Sequence, residues 1–273
     1  MKKNLFYMVI AGVVAFASCS KDKNDEGVPV ESVIVERNAM SIYVGARDTV
    51  KASVYPDNAT NKTINFASSD TNVATVDNNG VVLGIASGTA AITASASNGT
   101  STTVNVTVNL MQMKVVTTVS SIDMGLKGTG TAIIDWGDGD KDTVDITVED
   151  PHFNHEFKTT AANHTVTVEG VNMTCLNVGV QGATSVDLSK NPALEHFECW
   201  HNIIRELNFS NNPALRYIDC SETALTTEAY NAMYATLHSN TFAGVTKEIK
   251  VGNRGAAEDS NQEIATAKGW VFR

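Results

Sequence analysis

The chain has 273 residues, with 42% hydrophobic and 7% aromatic residues and a formal net charge of −10. This length allows two or three small domains, and the negative charge argues against nucleic acid and anionic lipid as partners. The composition, rich in Thr, Val, Ala, Ser and Asn, is typical of secreted modules that are mainly β.

The first 18 residues are predicted to be a signal peptide. A basic start precedes an apolar run at residues 5–17, which is shorter than the roughly 20 residues that span a bilayer. Residues 16–19 (FASC) resemble the lipobox of bacterial lipoproteins, which implies cleavage before Cys19 and lipidation of Cys19. The alternative is an ordinary secretory signal followed by an unrelated cysteine.

Residues 19–29 are predicted to be a flexible tether, because residues 20–26 are charged or polar and cannot bury apolar surface. Acidic segments of this kind resemble those that follow the lipidated cysteine of Bacteroidota surface lipoproteins. The resemblance implies an outer membrane lipoprotein, held to the membrane by its N-terminal lipid and facing the cell surface.

Residues 30–109 are predicted to form a β-sandwich. Segments 32–35, 49–54 and 103–108 alternate apolar and polar residues, and turn signals recur about every ten residues. The motifs VATVD and GVVLG, with Phe66 at a position usually held by Trp, resemble the group 2 bacterial Ig-like domain of intimin- and invasin-type adhesins. The resemblance implies a spacer that holds a binding tip away from the membrane; direct ligand binding is the alternative.

Residues 110–172 contain a glycine turn followed by acids. Residues 131–135 read as an apolar strand entering this turn, and residues 155–157 and 164–170 read as a partner strand. The stretch IDWGDG at residues 134–139 resembles the turn of PKD-like domains, so a PKD-like β domain is expected.

This turn also raises a calcium hypothesis. The offsets of calcium ligands in an EF-hand loop are met by Asp138, Asp140, Asp142 and Glu149. However, Thr143 stands where the loop needs glycine, and strands flank the segment instead of helices. A solvated acidic turn is the preferred interpretation, and no cofactor is predicted.

Residues 173–273 contain a repeat. NPALEHFEC at 191–199 recurs as NPALRYIDC at 212–220, which is 21 residues later. Residues 194–204 and 215–225 fit the leucine-rich-repeat frame L-x-x-L-x-C-x-x-N-x-L, and residues 173–183 are a weaker copy. The period lies within the range expected for such repeats, so a short leucine-rich-repeat solenoid is predicted.

Stacking of the coils should bury two ladders of side chains. The first consists of Leu176, Phe197 and Ile218, and the second of Val178, Cys199 and Cys220. Because Val178 holds the cysteine position in the first coil, apolar size suffices there and a buried thiol pair is expected. A disulfide and a metal site are the alternatives.

The end of the chain is predicted to cap the solenoid. Residues 226–238 read as a helix capped by Thr227, and residues 248–253 as one more strand in ladder register. Trp270, in the closing segment 264–271, is expected to seal the core. This ending resembles that of Bacteroidota surface leucine-rich-repeat lipoproteins.

Residues beside the ladders should point to an open outer face. The candidate binding residues on this face are His196, Glu198, Trp200, Tyr217, Asp219 and Lys250. Aromatic rings beside carboxylates suit sugar stacking or a protein hot spot, while a solvated or covered face is the alternative.

These features favour a non-enzymatic surface lipoprotein for adhesion or recognition, with the repeat as its tip and a host protein or glycan as its partner. The alternative is a glycan-binding lipoprotein of a polysaccharide uptake system. An enzyme is disfavoured because Glu198 and Asp219 would lie on an open face, and neither a nucleophile constellation nor a phosphate-binding glycine loop is found.

Overall fold

The computed structural model describes residues 27–149, 151–158, 161–252 and 255–273. The predicted signal peptide, Cys19 and most of the predicted tether lie outside the described residues. The protein is mainly β, as the sequence predicted. Within the described residues, no helix is long and apolar enough to cross a membrane.

The N-terminal part is a sandwich of short strands. They are β1 Ser32–Val35, β2 Ala39–Tyr43, β3 Arg47–Thr49, β4 Ala52–Tyr55, β5 Ile64–Ser68, β6 Ala74–Val76, β7 Val81–Gly84, β8 Gly88–Ala96 and β9 Ser101–Asn109. One sheet has the order β2-β9-β8-β5 and another β3-β7-β6, while β1 pairs with β4. Alternate residues of β8 and β9, including Ile92, Val104 and Val106, are fully buried, so the period-2 pattern forms the core.

The predicted strand at 49–54 is instead two strands, β3 and β4. The chain changes sheets between them, since β3 pairs with β7 and β4 pairs with β1. Val50 lies at the crossing, is 2% exposed, and donates its backbone N–H to the Gly80 carbonyl at 2.8 Å. Alternation of side chains continues through such a crossing, which is why the sequence pattern does not reveal it.

The next eight strands form two facing sheets. They are β10 Met111–Thr117, β11 Ser121–Gly128, β12 Gly130–Asp135, β13 Lys141–Ile146, β14 His152–Glu156, β15 His164–Gly170, β16 Met173–Asn177 and β17 Ala183–Lys190. One sheet has the order β13-β12-β15-β10-β17, and the other begins β14-β11-β16. Of the two segments predicted to partner β12, β15 does so, whereas β14 pairs with β11 in the opposite sheet.

Four further strands extend the second sheet in parallel. They are β18 His196–Glu198, β19 Tyr217–Asp219, β20 Lys247–Lys250 and β21 Trp270–Phe272. Phe197 pairs with Leu176 on one side and with Ile218 on the other, so neighbouring strands are offset by the sequence period. Both predicted ladders are fully buried.

Two helices pack beside the parallel strands, α1 Thr227–Thr236 and α2 Glu263–Thr266. The N-cap of α1 is Thr226, whose side chain accepts a hydrogen bond from the Ala229 N–H at 3.2 Å. The predicted cap, Thr227, is therefore wrong by one residue, and Thr227 is the first helical residue. The buried side of the helix consists of Tyr230, Met233 and Tyr234, followed by Leu237.

The backbone repeats with the same period as the sequence. Val180, His201 and Glu222 occupy equivalent coil positions and all have left-handed φ, at 60°, 54° and 54°. Asn191 and Asn212, also one period apart, are both fully buried. Each copy of the motif therefore adopts one coil of similar conformation.

One continuous hydrophobic core runs from Met111 to Trp270. Strand β16 of the first coil pairs with β11, and β17 of the same coil pairs with β10. The sequence placed a domain boundary between residues 172 and 173, but that point lies inside this shared core. A repeat period predicts that each coil lies beside the next coil. It does not predict that a coil pairs in antiparallel fashion with a strand outside the repeat.

The three described cysteines, Cys175, Cys199 and Cys220, are buried, and no disulfide joins any two of them. Burial raises the pKa of the Cys199 and Cys220 thiols above the usual range. The neutral thiol is thus the form that fills the ladder, in keeping with its alignment with Val178.

Candidate binding face

The outer face of the parallel sheet is built by alternation around the first ladder. Phe197 and Ile218 point into the core, so the residues on either side of them point outward. One outer row contains His196, Tyr217 and Glu248, and the second contains Asn177, Glu198, Asp219 and Lys250. Five of the six sequence-predicted face residues lie in these rows, and the sixth, Trp200, follows Glu198 by two residues. We call the two rows together with Trp200 the outer face.

An aromatic stack occupies the centre of the outer face. The rings of His196 and Tyr217 lie parallel, with centroids 4.3 Å apart and planes at 10°. The Nζ of Lys250 lies 5.6 Å from the centroid of the Tyr217 ring. Stacking and cation–π attraction hold these three side chains in one orientation across three strands.

Glu198 is the hydrogen-bonding centre of the outer face. Its Oε1 lies 2.6 Å from His196 Nε2, and its Oε2 accepts from Asn177 Nδ2 at 3.2 Å and Trp200 Nε1 at 3.3 Å. The hydrogen bond with His196 holds the pKa of Glu198 below its usual range, so the group is ionised at neutral pH. The outer face therefore contains a fixed negative charge.

Trp200 is half-buried, although the sequence predicted an exposed ring. Its indole lies over Gly179, the equivalent residue of the preceding coil. A Cβ at Gly179 would lie 2.4 Å from Cε2 and 2.5 Å from Nε1 of the indole. The ring thus occupies the space that a side chain at residue 179 would fill. This position explains why Trp200 is half-buried although it belongs to neither ladder.

Asp219 was also expected to be exposed on the outer face, but it is only 8% exposed. One of its carboxylate oxygens accepts hydrogen bonds from the Ser221 backbone N–H at 3.1 Å and hydroxyl at 2.6 Å. Its other oxygen lies 3.6 Å from Lys250 Nζ. Asp219 therefore positions its neighbours, and Glu198 is the more accessible carboxylate.

Residues that the sequence reasoning missed extend the outer face at both ends. Arg273 pairs with Glu248, because β21 adds a last parallel strand beyond β20. At the other end, His152 Nδ1 lies 2.9 Å from Asp123 on the antiparallel pair of β14 and β11. The pair of Arg273 and Glu248 could have been predicted by continuing the ladder register to the last strand. Nothing in the sequence pattern indicates the contact between His152 and Asp123.

The acidic turn between β12 and β13 forms a separate cluster. Trp136 is 1% exposed, stacks on His155 with centroids 4.6 Å apart, and donates from Nε1 to Asp142 at 2.8 Å. Ligand atoms of Asp138, Asp140 and His155 lie within 4.8 Å of one another. Asp142 is instead committed to Trp136, so the structure does not assemble the EF-hand set of the calcium hypothesis.

Two other contacts fix the acids of this turn. Asp138, a partly buried residue whose side chain is inaccessible to solvent, lies 2.9 Å from His155 Nε2 and accepts the Lys158 backbone N–H at 2.9 Å. Lys158 Nζ donates to Asp140 at 2.6 Å. The cluster therefore joins the β12–β13 turn to the segment that follows β14.

We expect this cluster to make stability depend on pH. Hydrogen bonds from Lys158 and His155 hold the pKa of Asp138 well below its usual range. An unfolded aspartate titrates at about 3.9, so the carboxylate stabilises the fold above that pH and this contribution is lost as pH falls below it. Asp138→Asn should therefore lower the melting temperature at pH 7, by an amount that shrinks as pH approaches 3.

Thermal unfolding between pH 3 and 7 measures this difference. Asp259→Asn, at an exposed position, is the matched control and should change the melting temperature little at any pH. An Asp138→Asn effect that is equal at pH 3 and pH 7 would contradict the assignment.

Comparison with known proteins identifies the N-terminal sandwich. Residues 29–119 match the bacterial Ig-like domain, group 2. This match confirms the Ig-like domain predicted from VATVD and GVVLG. It ends ten residues beyond β9, inside the strand region that follows the sandwich.

Curated relatives share short segments with the chain. An uncharacterized protein of Clostridium acetobutylicum is 41% identical over 26% of this chain, and a 3-O-alpha-D-galactosyl-alpha-L-arabinofuranosidase of Bifidobacterium longum is 38% identical over 33% of it. An Ig-like virion protein of Serratia phage KSP90 is 46% identical over 24%. The chain spans 7% of the length of each of the first two relatives and 26% of the third.

Among solved structures, domains 4 and 5 of the S-layer protein SbsC are 26% identical, with a TM-score of 0.26, over 29% of this chain and 51% of that one. The Ig-like domain that matches residues 29–119 is of the kind named for the Serratia phage virion protein. The likeness to the arabinofuranosidase covers only 7% of that enzyme and brings no catalytic assignment.

Proposed function

We propose that this protein is a non-enzymatic cell-surface protein for adhesion or recognition, in which the Ig-like domain is a spacer and the outer face is the binding tip. The observation that carries the proposal is the connected set of His196, Tyr217, Lys250 and Glu198 on an open sheet. Preorganised aromatic and charged groups bind a partner with little loss of side-chain entropy.

The proposal includes a finer description of the C-terminal half. We assign residues 173–273 to a leucine-rich-repeat solenoid with a C-terminal cap and residues 110–172 to a PKD-like segment, in a protein of Bacteroidota type. The parallel pairing of β16, β18 and β19 at one sequence period supports the first assignment. The turn of Trp136 and Asp138 supports the second.

We further propose that lipidation of Cys19 anchors the protein in the outer membrane, facing the cell surface. The lipobox-like FASC sequence supports this. Cys19→Ala should move the protein from the membrane to the soluble fraction, as measured by fractionation and immunoblotting. Cys175→Ala, which removes a thiol outside the lipobox, is the control and should leave the protein in the membrane fraction; equal membrane retention of both variants would refute the anchor.

The binding role is tested by substitution of the aromatic stack. Tyr217→Ala and Lys250→Ala should each weaken binding about tenfold or more, the loss typical of a central interface residue. Binding is measured on glycan arrays and on immobilised host matrix proteins. Tyr55→Ala changes an exposed aromatic of the Ig-like domain, 50% exposed, and should leave affinity unchanged. Unchanged affinity in all three variants would place the binding site elsewhere.

The alternative function is glycan binding in a polysaccharide uptake system. The indole of Trp200 beside the ionised Glu198 favours this alternative, because sugars present both an apolar ring face and hydroxyl groups. Retention of glycans without retention of matrix proteins would select it.

A further inference from the structure

We infer that Trp200, seated over Gly179 and fixed at its edge by Glu198, is the stacking platform for one sugar ring on the outer face. This inference rests on the proposed function, since it names the ligand class of the same face. It also gives Trp200 and Tyr217 different roles, whereas the sequence analysis placed both among the candidate binding residues.

Trp200 is the aromatic residue of this face that remains available for stacking. Tyr217 has His196 parallel to its ring at 4.3 Å and Lys250 near its centroid at 5.6 Å. Within the described chain, the aromatic neighbour of Trp200 is His201, which lies edge-on, with ring centroids 5.6 Å apart and planes at 72°. A ligand can therefore cover the Trp200 ring without displacing a stacked neighbour.

The edge of the Trp200 ring has the hydrogen-bonding groups that sugar hydroxyls need. Glu198 Oε2 accepts from both Trp200 Nε1 and Asn177 Nδ2. A carboxylate has about four acceptor sites, and the contacts to His196, Asn177 and Trp200 use three of them. One acceptor site thus remains for a ligand hydroxyl, and the second N–H of the Asn177 amide can donate to another.

The charge of the outer face narrows the ligand class further. Lys250 is paired with Asp219 and Arg273 with Glu248, while Glu198 lies against His196 and is held ionised. An anionic ligand would meet the Glu198 carboxylate, whereas the described cations Lys250 and Arg273 already face carboxylates of their own. A neutral glycan fits an aromatic surface bordered by a carboxylate and an amide.

Gly179 makes the platform testable without removing the indole. Its φ is not in the left-handed region, so alanine is compatible with the backbone, but the added Cβ would lie 2.4–2.9 Å from three atoms of the Trp200 ring. Gly179→Ala must therefore push the ring out of its seat. Ser210→Ala, at an exposed position that lies outside the outer face, is the control.

Tryptophan fluorescence provides a direct readout. Trp136 and Trp270 are each 1% exposed, so acrylamide quenching reports mainly on Trp200. The probes are neutral hexasaccharides of xylose, mannose, glucose and galactose, added to the purified full chain. We expect at least one of them to protect Trp200 from acrylamide, and Gly179→Ala and Trp200→Ala to weaken its binding about tenfold or more by calorimetry. Ser210→Ala should bind like the wild type.

The outcomes separate this inference from the proposed function. If none of the hexasaccharides protects Trp200, or if Gly179→Ala alters quenching but binds a hexasaccharide like the wild type, the platform is wrong. If Tyr217→Ala and Lys250→Ala still abolish binding of a protein ligand in that case, the outer face stands as a binding site. If all of these variants bind every detected ligand normally, both fail.

Discussion

Asn202→Ala is expected to lower the free energy of unfolding by about 3 kcal/mol, because each buried backbone group left without a partner costs about 1–3 kcal/mol. Asn202 is 4% exposed, and its Nδ2 donates to the carbonyls of Val178 at 2.7 Å and Cys199 at 2.9 Å. Its Oδ1 accepts the backbone N–H groups of Ala183 at 2.7 Å and Gln181 at 3.2 Å. One side chain therefore joins two consecutive coils.

Chemical denaturation followed by circular dichroism measures this loss. Asn208→Ala, at an exposed position of the same coil, is the matched control and should change stability by less than about 0.5 kcal/mol. Equal losses in the two variants would show that Asn202 does not hold the coils together. Thr223, the equivalent residue one coil later, donates to the Cys220 carbonyl at 2.9 Å and so replaces only part of this network.

Trp270→Ala is expected to cost about 3–5 kcal/mol, the usual penalty for emptying the space of a large buried aromatic. Trp270 is 1% exposed, donates from Nε1 to the His238 carbonyl at 3.1 Å, and lies beneath Lys247 Nζ at 5.4 Å from the ring centroid. It is the first residue of β21, the terminal strand of the parallel sheet. Its loss should therefore loosen β20 and β21 before the rest of the core.

Hydrogen exchange at the backbone amides of β20 and β21, together with the unfolding midpoint, tests this expectation. Val271→Ala changes the next residue, 47% exposed on the outer face, and should alter stability by less than about 0.5 kcal/mol. Faster exchange throughout the protein, with no preference for the last strands, would argue against a local capping role.

The cysteine motifs show how much of the structure the sequence period predicts. Alignment of Cys199 and Cys220 with Val178 predicted an apolar ladder, and the structure buries all three residues completely. The same period placed His196, Glu198 and Tyr217 on the opposite side of the strands. Periodicity determines which side of a strand a residue takes, and for the two ladders that side is the buried core.

The period did not predict how the side chains of the outer face contact one another. The seat of Trp200 depends on a missing side chain at Gly179, one coil away, and the burial of Asp219 depends on Ser221 and Lys250. Similarly, the offsets of Asp138, Asp140 and Asp142 matched a calcium loop. The hairpin directed Asp142 to Trp136, and the segment after β14 supplied Lys158 to Asp140.

The sequence by itself determined the Ig-like domain, the repeat period and the two buried ladders. These features depend on local alternation, turn residues and the recurrence of one motif. Only the tertiary structure decided that β16 and β17 pair with β11 and β10, so that residues 111–270 share one core, and that Trp200 lies over Gly179. The physical reason is that antiparallel pairing and ring packing join residues far apart in the chain, where neither the motif nor the period provides a register.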